Sequence, residues 1–178
     1  MRNIQTTPKA AEQRFHAIVN EHADRIYNLA LMKCGEESLA QDICQETFIR
    51  VYKGLQAFRA ESQIGTWIYR IALNVCHTQM AREIKRGRLA DPIEYADDVL
   101  SSDLGDPVVE VEREVKAETI RKAIASLPEH QATAVSLFYL KEFKYTEVAE
   151  IMDLPLNTVK SHLRRAKTRL RDIIPEDL

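Results

Sequence analysis

Two groups of side chains have the types and spacing to do chemistry. In segment 38–55, Asp42, Glu46, Ile49 and Lys53 fall on one side of a helix, with Gln45 beside them. Ala40, Cys44, Phe48, Val51 and Leu55 fall on the other side. A carboxylate pair flanked by an amide makes charge-assisted hydrogen bonds to a cationic surface. The plain alternative is a solvated helix face. The second group lies between residues 157 and 171, which hold six Lys+Arg and no acid. Thr158, Lys160, Ser161, His162, Arg164 and Arg165 take the exposed or flanking faces of a helix lined inside by Val159, Leu163, Ala166 and Leu170. Entry into a nucleic-acid groove needs such a set: cations for phosphates, hydroxyls and guanidinium groups for base edges. A basic helix that merely closes a bundle is the alternative here.

Other chemistry is not encoded in a familiar pattern. There is no phosphate-cradling glycine loop, no GxGxxG and no HExxH. The three cysteines, Cys34, Cys44 and Cys76, form no CxxC, an odd set that fits a reducing compartment. Cys76 adjoins His77, so a small zinc enzyme built on Cys34, Cys44, Cys76 and His77 is conceivable, but the spacings match no common zinc pattern. Packing is the expected role of the thiols, and no metal or cofactor is expected. His16, His22, His77, His130 and His162 are scattered.

The elements that must position these residues read as helices throughout. The chain has 178 residues, 45% of them apolar, enough for one ordinary domain or two small ones. Only five glycines and six prolines argue against turn-rich sandwiches, barrels and propellers. Phe15, Ile18, Val19, His22, Ile26, Leu29 and Ala30 predict a helix over 11–33, ended at Gly35. The next helix is expected to start at Ser38 as its N-cap. After a break at 58–65, Ile64, Ile68, Ile71 and Val75 mark a third helix, from Thr66 to about Arg86 with a basic far end. Further helices are expected over 110–126, with Ile120 and Ile124 inward, and over 129–141 after Pro128. A short one over 146–152, capped by Thr146, precedes the turn Asp153-Leu154-Pro155 and the long basic helix.

Charge divides the chain. Residues 1–86 carry +3, 87–118 carry −7 and 119–178 carry +2, within a formal net charge of −2. The acidic middle also holds Pro92, Gly105 and Pro107. Such a stretch self-repels and buries little, so it is expected to be a linker. The start, MRNIQTTPKAAEQRF, lacks the apolar core of a secretory signal, and no run is long enough to span a membrane. The C-terminal segment YTEVAEIMDLPLNTVKSHLRRAKTRLR has the two-helix, short-turn layout of a helix-turn-helix. The expected fold class is all-α: two small helical domains joined by an acidic flexible linker, at 11–86, 87–115 and 116–175.

Three segments in order resemble the extracytoplasmic-function sigma factors, specificity subunits of bacterial RNA polymerase. SLAQDICQETFIRVY at 38–52 resembles the helix of sigma region 2 that binds the polymerase clamp. FRAESQIGTWIYRIALNVCHTQMARE at 58–83 resembles the promoter-melting segment. LPEHQATAVSLFYLKEFKYTEVAEIMDLPLNTVKSHLRRAKTRL at 127–170 resembles region 4, which reads the −35 element.

The resemblance implies a transcription initiation factor with no catalytic activity of its own. Asp42, Gln45, Glu46 and Phe48 match the clamp-binding motif, although Phe48 by its place on the apolar stripe reads as packing. Arg59, Glu61, Ser62, Gln63 and Trp67 match the segment that captures a base flipped from the −10 element. Arg70, Asn74, Arg82, Lys85 and Arg86 match the helix lying along that DNA, and Thr158, Lys160, Ser161, Arg164 and Arg165 the face that enters the −35 groove. Implied partners are core RNA polymerase, promoter DNA and an anti-sigma factor. The implied location is the cytoplasm, at the membrane where an anti-sigma factor is anchored there. The linker is either a repulsive spacer or a strand directed toward the basic RNA channel. Three positions depart from the family pattern: Asn157 replaces a usual Gly, Thr78 a usual Asp, and His162 a common Arg. The competing reading is a stand-alone helix-turn-helix regulator, which would need a dimer to bind paired half-sites.

Overall fold

The computed structural model describes residues 8–58, 62–89, 119–120 and 122–174. The acidic segment 90–118 lies outside the described residues, as do Arg59 and Glu61. Among the described residues there is no β-strand. Besides helical residues at 119–120 and 122–125, within the helix expected over 110–126, the helices are α1 (Pro8–Cys34), α2 (Glu37–Gly54), α3 (Ile64–Lys85), α4 (Glu129–Val135), α5 (Tyr145–Met152) and α6 (Leu156–Ile173). The end of α4 widens into a π-turn at Ser136–Leu140, where the Lys141 N–H donates to the Ser136 carbonyl.

The helix ends show which local signals acted. Gly35 adopts φ 69°, the left-handed conformation that stops α1. Ser38 does not cap α2. The helix starts two residues earlier with Glu36 as N-cap, and the Ser38 hydroxyl donates to the Glu36 carboxylate. Nor does Thr146 cap α5. Lys144 takes that place, and its backbone N–H donates to Glu147 Oε2 at 2.8 Å. A carboxylate three residues into the helix satisfies the N–H of the capping residue and complements the helix dipole.

The first three helices form a bundle around two clusters. One, at the Cys34 end, holds Ala30, Leu31, Cys34, Leu39, Ala40, Ile43, Val75, Cys76 and Met80. The other begins with Ile18, Ile26, Leu29, Phe48, Val51 and Ile68 and does not stop at the domain boundary. It continues through Tyr69 into Ile124, Leu127, Leu137, Val148, Ile151, Val159 and Leu163 of the C-terminal domain. Ile124 is buried as expected, whereas Ile120 is 36% exposed. The Tyr69 ring meets Phe143 edge-on, centroids 4.8 Å apart, and α3 packs along α5. The two domains are thus seated on each other, an arrangement their sequences do not announce.

A buried charge joins them. Lys33, in the last turn of α1, is 3% exposed. Its ammonium donates to Glu129 Oε1 at 3.0 Å and to Thr133 Oγ1 at 2.9 Å, both on α4. His77 Nε2 lies 3.4 Å from the same Glu129 oxygen. Beside them the Ser136 hydroxyl donates to the Ala132 carbonyl and lies 3.2 Å from Met32 Sδ. The hydrogen bond from His77 outweighs burial, Lys33 adds to it, and the Glu129 carboxyl is held down at about 2 against an ordinary 4.5. Its folded pKa lies below its unfolded one. Its contribution is therefore present above pH 4.5 and is lost as pH falls toward 2. Urea midpoints measured from pH 5 to pH 2 should fall for the native chain, and fall less steeply for Glu129→Gln.

Candidate nucleic-acid interface

Helix α3 arranges its polar residues by register. Gln63, Trp67, Arg70, Asn74, Thr78, Arg82 and Lys85 recur at steps of three or four, which keeps them on one face. All are exposed except the half-buried Trp67. The opposite face, Ile68, Tyr69, Ala72, Leu73, Val75, Cys76 and Met80, is buried. Of the residues expected to touch the −10 element, the structure therefore gathers Gln63, Trp67, Arg70, Asn74, Arg82 and Lys85 into one stripe, with half-buried Ser62 just before its start. Arg86 is drawn aside, its Nη1 bonding Glu83 Oε1 at 2.6 Å. Arg70 is also engaged: its Nη2 donates to Asp153 Oδ1 at 3.1 Å, across the domain boundary.

Trp67, the one tryptophan in the chain, has a defined seat. Its six-membered ring lies over the end of α2 at Gly54, and a Cβ at Gly54 would come within 2.9 Å of its Cζ2. The Phe58 ring lies beside it, centroids 4.9 Å apart and planes tilted by 38°. Gly54 is not among the residues of positive φ. Its glycine is therefore needed for close approach rather than for a turn, and sequence reasoning had not singled it out. The usable signal was a glycine inside an otherwise good helix.

On α2, Asp42 and Gln45 are exposed and Glu46 is half-exposed, accepting a 2.8 Å bond from Arg50 Nε. Phe48 is 8% exposed and belongs to the core, so its side chain is not part of this ridge. Next to the acids lie Ile49, 42% exposed, and Tyr52, 57% exposed and packed edge-on against Phe15. Tyr52 was missed, although it sits three residues from Ile49 on the same side. The ridge is acidic at one edge and apolar at the other.

In the C-terminal domain, α5 and α6 make the helix-turn-helix. Asp153 ends α5 at φ 53°, and the Leu154 N–H donates back to Ala149. This left-handed closure suits an Asp better than most residues. Pro155 is the N-cap of α6. Val159, Leu163 and Ala166 are buried against α4 and α5, and Leu170 is half-buried. Lys160, Arg164 and Arg165 are exposed, with Ser161 half-exposed among them. Thr158 lies at the flank. His162 turns toward the packing side, its ring 5.6 Å from His130. Burial lowers its pKa, and the neighbouring His130 and Arg165 act in the same direction. Asn157 is exposed at a φ that is not positive, so no glycine is required there.

The thiols serve packing. Cys34 and Cys76 are buried, Cys44 is half-buried, and all three are free. Burial pushes each thiol up, Cys76 to about 12. Among the described residues no three His, Cys, Asp or Glu side chains converge as metal ligands. His22 is buried with neither ring nitrogen hydrogen-bonded, Nε2 lying 3.8 Å from a Glu21 carboxylate oxygen, and burial lowers its pKa.

Gly54→Ala supplies the test of the tryptophan seat. The helix gains about 1 kcal/mol in propensity, whereas forcing a methyl group against a rigid ring costs about 1–3 kcal/mol. The expected outcome is a net loss of stability and a shifted Trp67 emission maximum, read by urea unfolding and steady-state fluorescence. An unchanged emission maximum would show that the indole is not held there.

The family models agree with this layout. Sigma-70 region 2 matches residues 18–86, and sigma-70 region 4 matches 117–170. The chain is 31% identical to the ECF RNA polymerase sigma factor SigW of Bacillus subtilis, over 96% of this chain and 94% of that one. It is 28% identical to the ECF RNA polymerase sigma-E factor of Haemophilus influenzae, over 96% and 93%. In fold it is similar to the sigma factor RpoE of Bartonella quintana, solved with the anti-sigma factor NepR, at TM-score 0.74 and 20% identity, over 93% and 99% of the two chains. CnrH, solved with the cytosolic domain of CnrY, is similar at TM-score 0.62 and 19% identity, over 90% of this chain and 87% of that one. With both domain models matched in order and a relative this similar along nearly its whole length, the chain belongs to the ECF sigma factors of RNA polymerase.

Proposed function

We propose that this chain is a promoter-specific initiation factor whose three surfaces divide the work. The α2 ridge of Asp42, Gln45 and Glu46 docks on core RNA polymerase, with Ile49 and Tyr52 adding apolar area. The α3 stripe takes the −10 element, and α6 reads the −35 element. The observation that carries the reading is the single exposed face of α3, on which an aromatic platform and a line of polar and cationic side chains run parallel.

The energetics are consistent with that division. Extruding a base from a duplex costs a few kcal/mol. Stacking on an aromatic side chain returns about 1–3 kcal/mol per base. Trp67 with Ser62 and Gln63 at the start of α3 offsets the unstacking of about one base. Arg70, Arg82 and Lys85 hold the neighbouring phosphates, and Asn74 presents an amide between them. On α6, Lys160 and the two arginines supply phosphate contacts and bidentate base recognition, and Ser161 and Thr158 add short-range hydrogen bonds.

The chain itself performs no catalysis in this reading, since polymerase makes the phosphodiester bonds. No described helix is long and apolar enough to cross a membrane. The site of action is the cytoplasm. The solved neighbours RpoE and CnrH were captured with NepR and with the cytosolic domain of CnrY. By analogy this chain has an anti-sigma partner, which brings it to the membrane where that partner is anchored there. A stand-alone repressor is not favoured, because it would leave the α2 ridge and the α3 stripe without a use.

The test is retention of the purified chain on immobilised bacterial core RNA polymerase, compared with Asp42→Ala/Glu46→Ala. The native chain should be retained and the double variant weakened at least tenfold, with unchanged helical content by circular dichroism. Equal retention of both would remove the α2 ridge from the polymerase contact.

A further inference from the structure

The two histidines of the C-terminal domain are distant in sequence and adjacent in space. His130 is exposed in the first turn of α4, and His162 is half-buried in the second turn of α6. Their ring centroids are 5.6 Å apart, with planes tilted by 33°. His162 Nδ1 is buried and has no hydrogen-bond partner among the described residues. The pair sits at the edge of the basic face. Thr158 and Arg165, four residues before His162 and three after it, flank it on the same side of α6.

Charge around the pair is one-sided. The groups that act on His162 are His130 from α4 and Arg165 from its own helix, and both oppose a proton there, as burial does. Glu129, the acid next to His130, is committed to Lys33 and His77. α5 also packs on α6, but its acids supply no counter-charge to His162. Glu147 closes the start of α5, and Asp153 at its end bonds Arg70. Two imidazoles beside a guanidinium, with no acid among them, stay neutral until an anion arrives.

DNA would bring that anion. An α-helix with its side chains is about 10–12 Å across, and the major groove is about 12 Å wide. A recognition helix therefore fills the groove from lip to lip, and the element packed along its side meets a phosphate strand. Here that element is α4, and its contact line with α6 carries the histidine pair with Arg165 beside it.

We propose that His130 and His162 form a proton-dependent phosphate clamp at the lip of the −35 groove, taking up a proton as they share a DNA phosphate. The proposal rests on the reading of α6 as the −35 surface. It adds His130, which lies outside the helix-turn-helix, to that surface. It also gives position 162 a property that a permanently charged arginine lacks. The free pair is neutral near pH 7, and the bound phosphate favours the charged form. Protons are then taken up on binding, so affinity rises as pH falls. The rise levels off below the free-state pKa of His162, which lies under the ordinary 6.5.

The experiment titrates the full chain into a labelled 30-base-pair duplex of mixed sequence, because phosphate contacts carry no sequence information. Fluorescence anisotropy is read at pH 7.5 and pH 5.8, each over a salt series, with helical content checked by circular dichroism. Both values lie above the range in which the Glu129 contribution is lost. The native chain should bind about five- to tenfold tighter at pH 5.8, and its slope of log K against log salt should steepen by about one, as for one more neutralised phosphate. His130→Gln/His162→Gln should match the native chain at pH 7.5 and lose most of the gain and the change of slope at pH 5.8. His162→Arg should bind tightly, with the steep slope, at both. His77→Gln, whose imidazole faces Glu129 instead, should keep the native response. A native chain without a pH response, a response that survives His130→Gln/His162→Gln, or tightening without a change of slope would each overturn the clamp. Duplex binding that ignores Lys160→Ala/Arg164→Ala at both pH values would instead overturn the reading of α6 itself.

Discussion

A lysine ammonium that is almost fully removed from water must keep a carboxylate beside it, and in this protein that carboxylate comes from the other domain. Lys33 on α1 and Glu129 at the first position of α4 therefore fix where the C-terminal domain sits. Glu129 is well suited to its part. It follows Pro128, which starts the helix, and its negative charge also faces the positive end of α4. Once that pair is seated, Tyr69 meets Phe143, α3 lies along α5, and the hydrophobic core runs without interruption from Ile18 to Ala166.

Helix α3 bears three demands at once. Its inner face completes the N-terminal bundle, its flank carries the C-terminal domain, and its outer face carries the polar stripe. A 22-residue helix has about six turns, enough to separate these demands by rotation around the axis rather than by position along it. Gly54 contributes from outside the helix by letting the Trp67 ring lie against the end of α2. The recognition helix α6 has a simpler task, with one buried stripe and one basic face, and its acids are deferred to Asp172 beyond the cationic run.

Much of this was legible in advance because it rests on short-range periodicity. Six apolar positions and His22, recurring at helical spacing, marked α1, and Gly35 marked its end. Val159, Leu163 and Ala166 separated the inner from the outer face of α6. Phe48 sat on the apolar stripe of α2, and its burial follows from that stripe even though motif resemblance placed it with the polymerase ligands. The failures were at helix ends. Ser38 and Thr146 have good capping side chains, yet the helices begin at Glu37 and Tyr145: the Ser38 hydroxyl is spent on the Glu36 carboxylate, and Glu147 closes the start of α5 through the Lys144 N–H. Capping is a competition among neighbours within a turn, and residue type alone does not decide it.

The amino-acid order by itself determined an all-α protein, the faces of its helices, the basic surface of α6 and the family to which the chain belongs. All of these depend on residues within a few turns of one another, or on motifs that need no partner. Tertiary structure decided what long-range neighbours alone can decide. It paired Lys33 with Glu129 at a separation of 96 residues and Arg70 with Asp153 at 83. It also set Trp67 against Gly54. Nothing local marks Lys33 as buried or Asp153 as the partner of an arginine. An isolated charged side chain on a helix is solvated by default, and only another domain's surface, brought to it by hydrophobic burial, changes that.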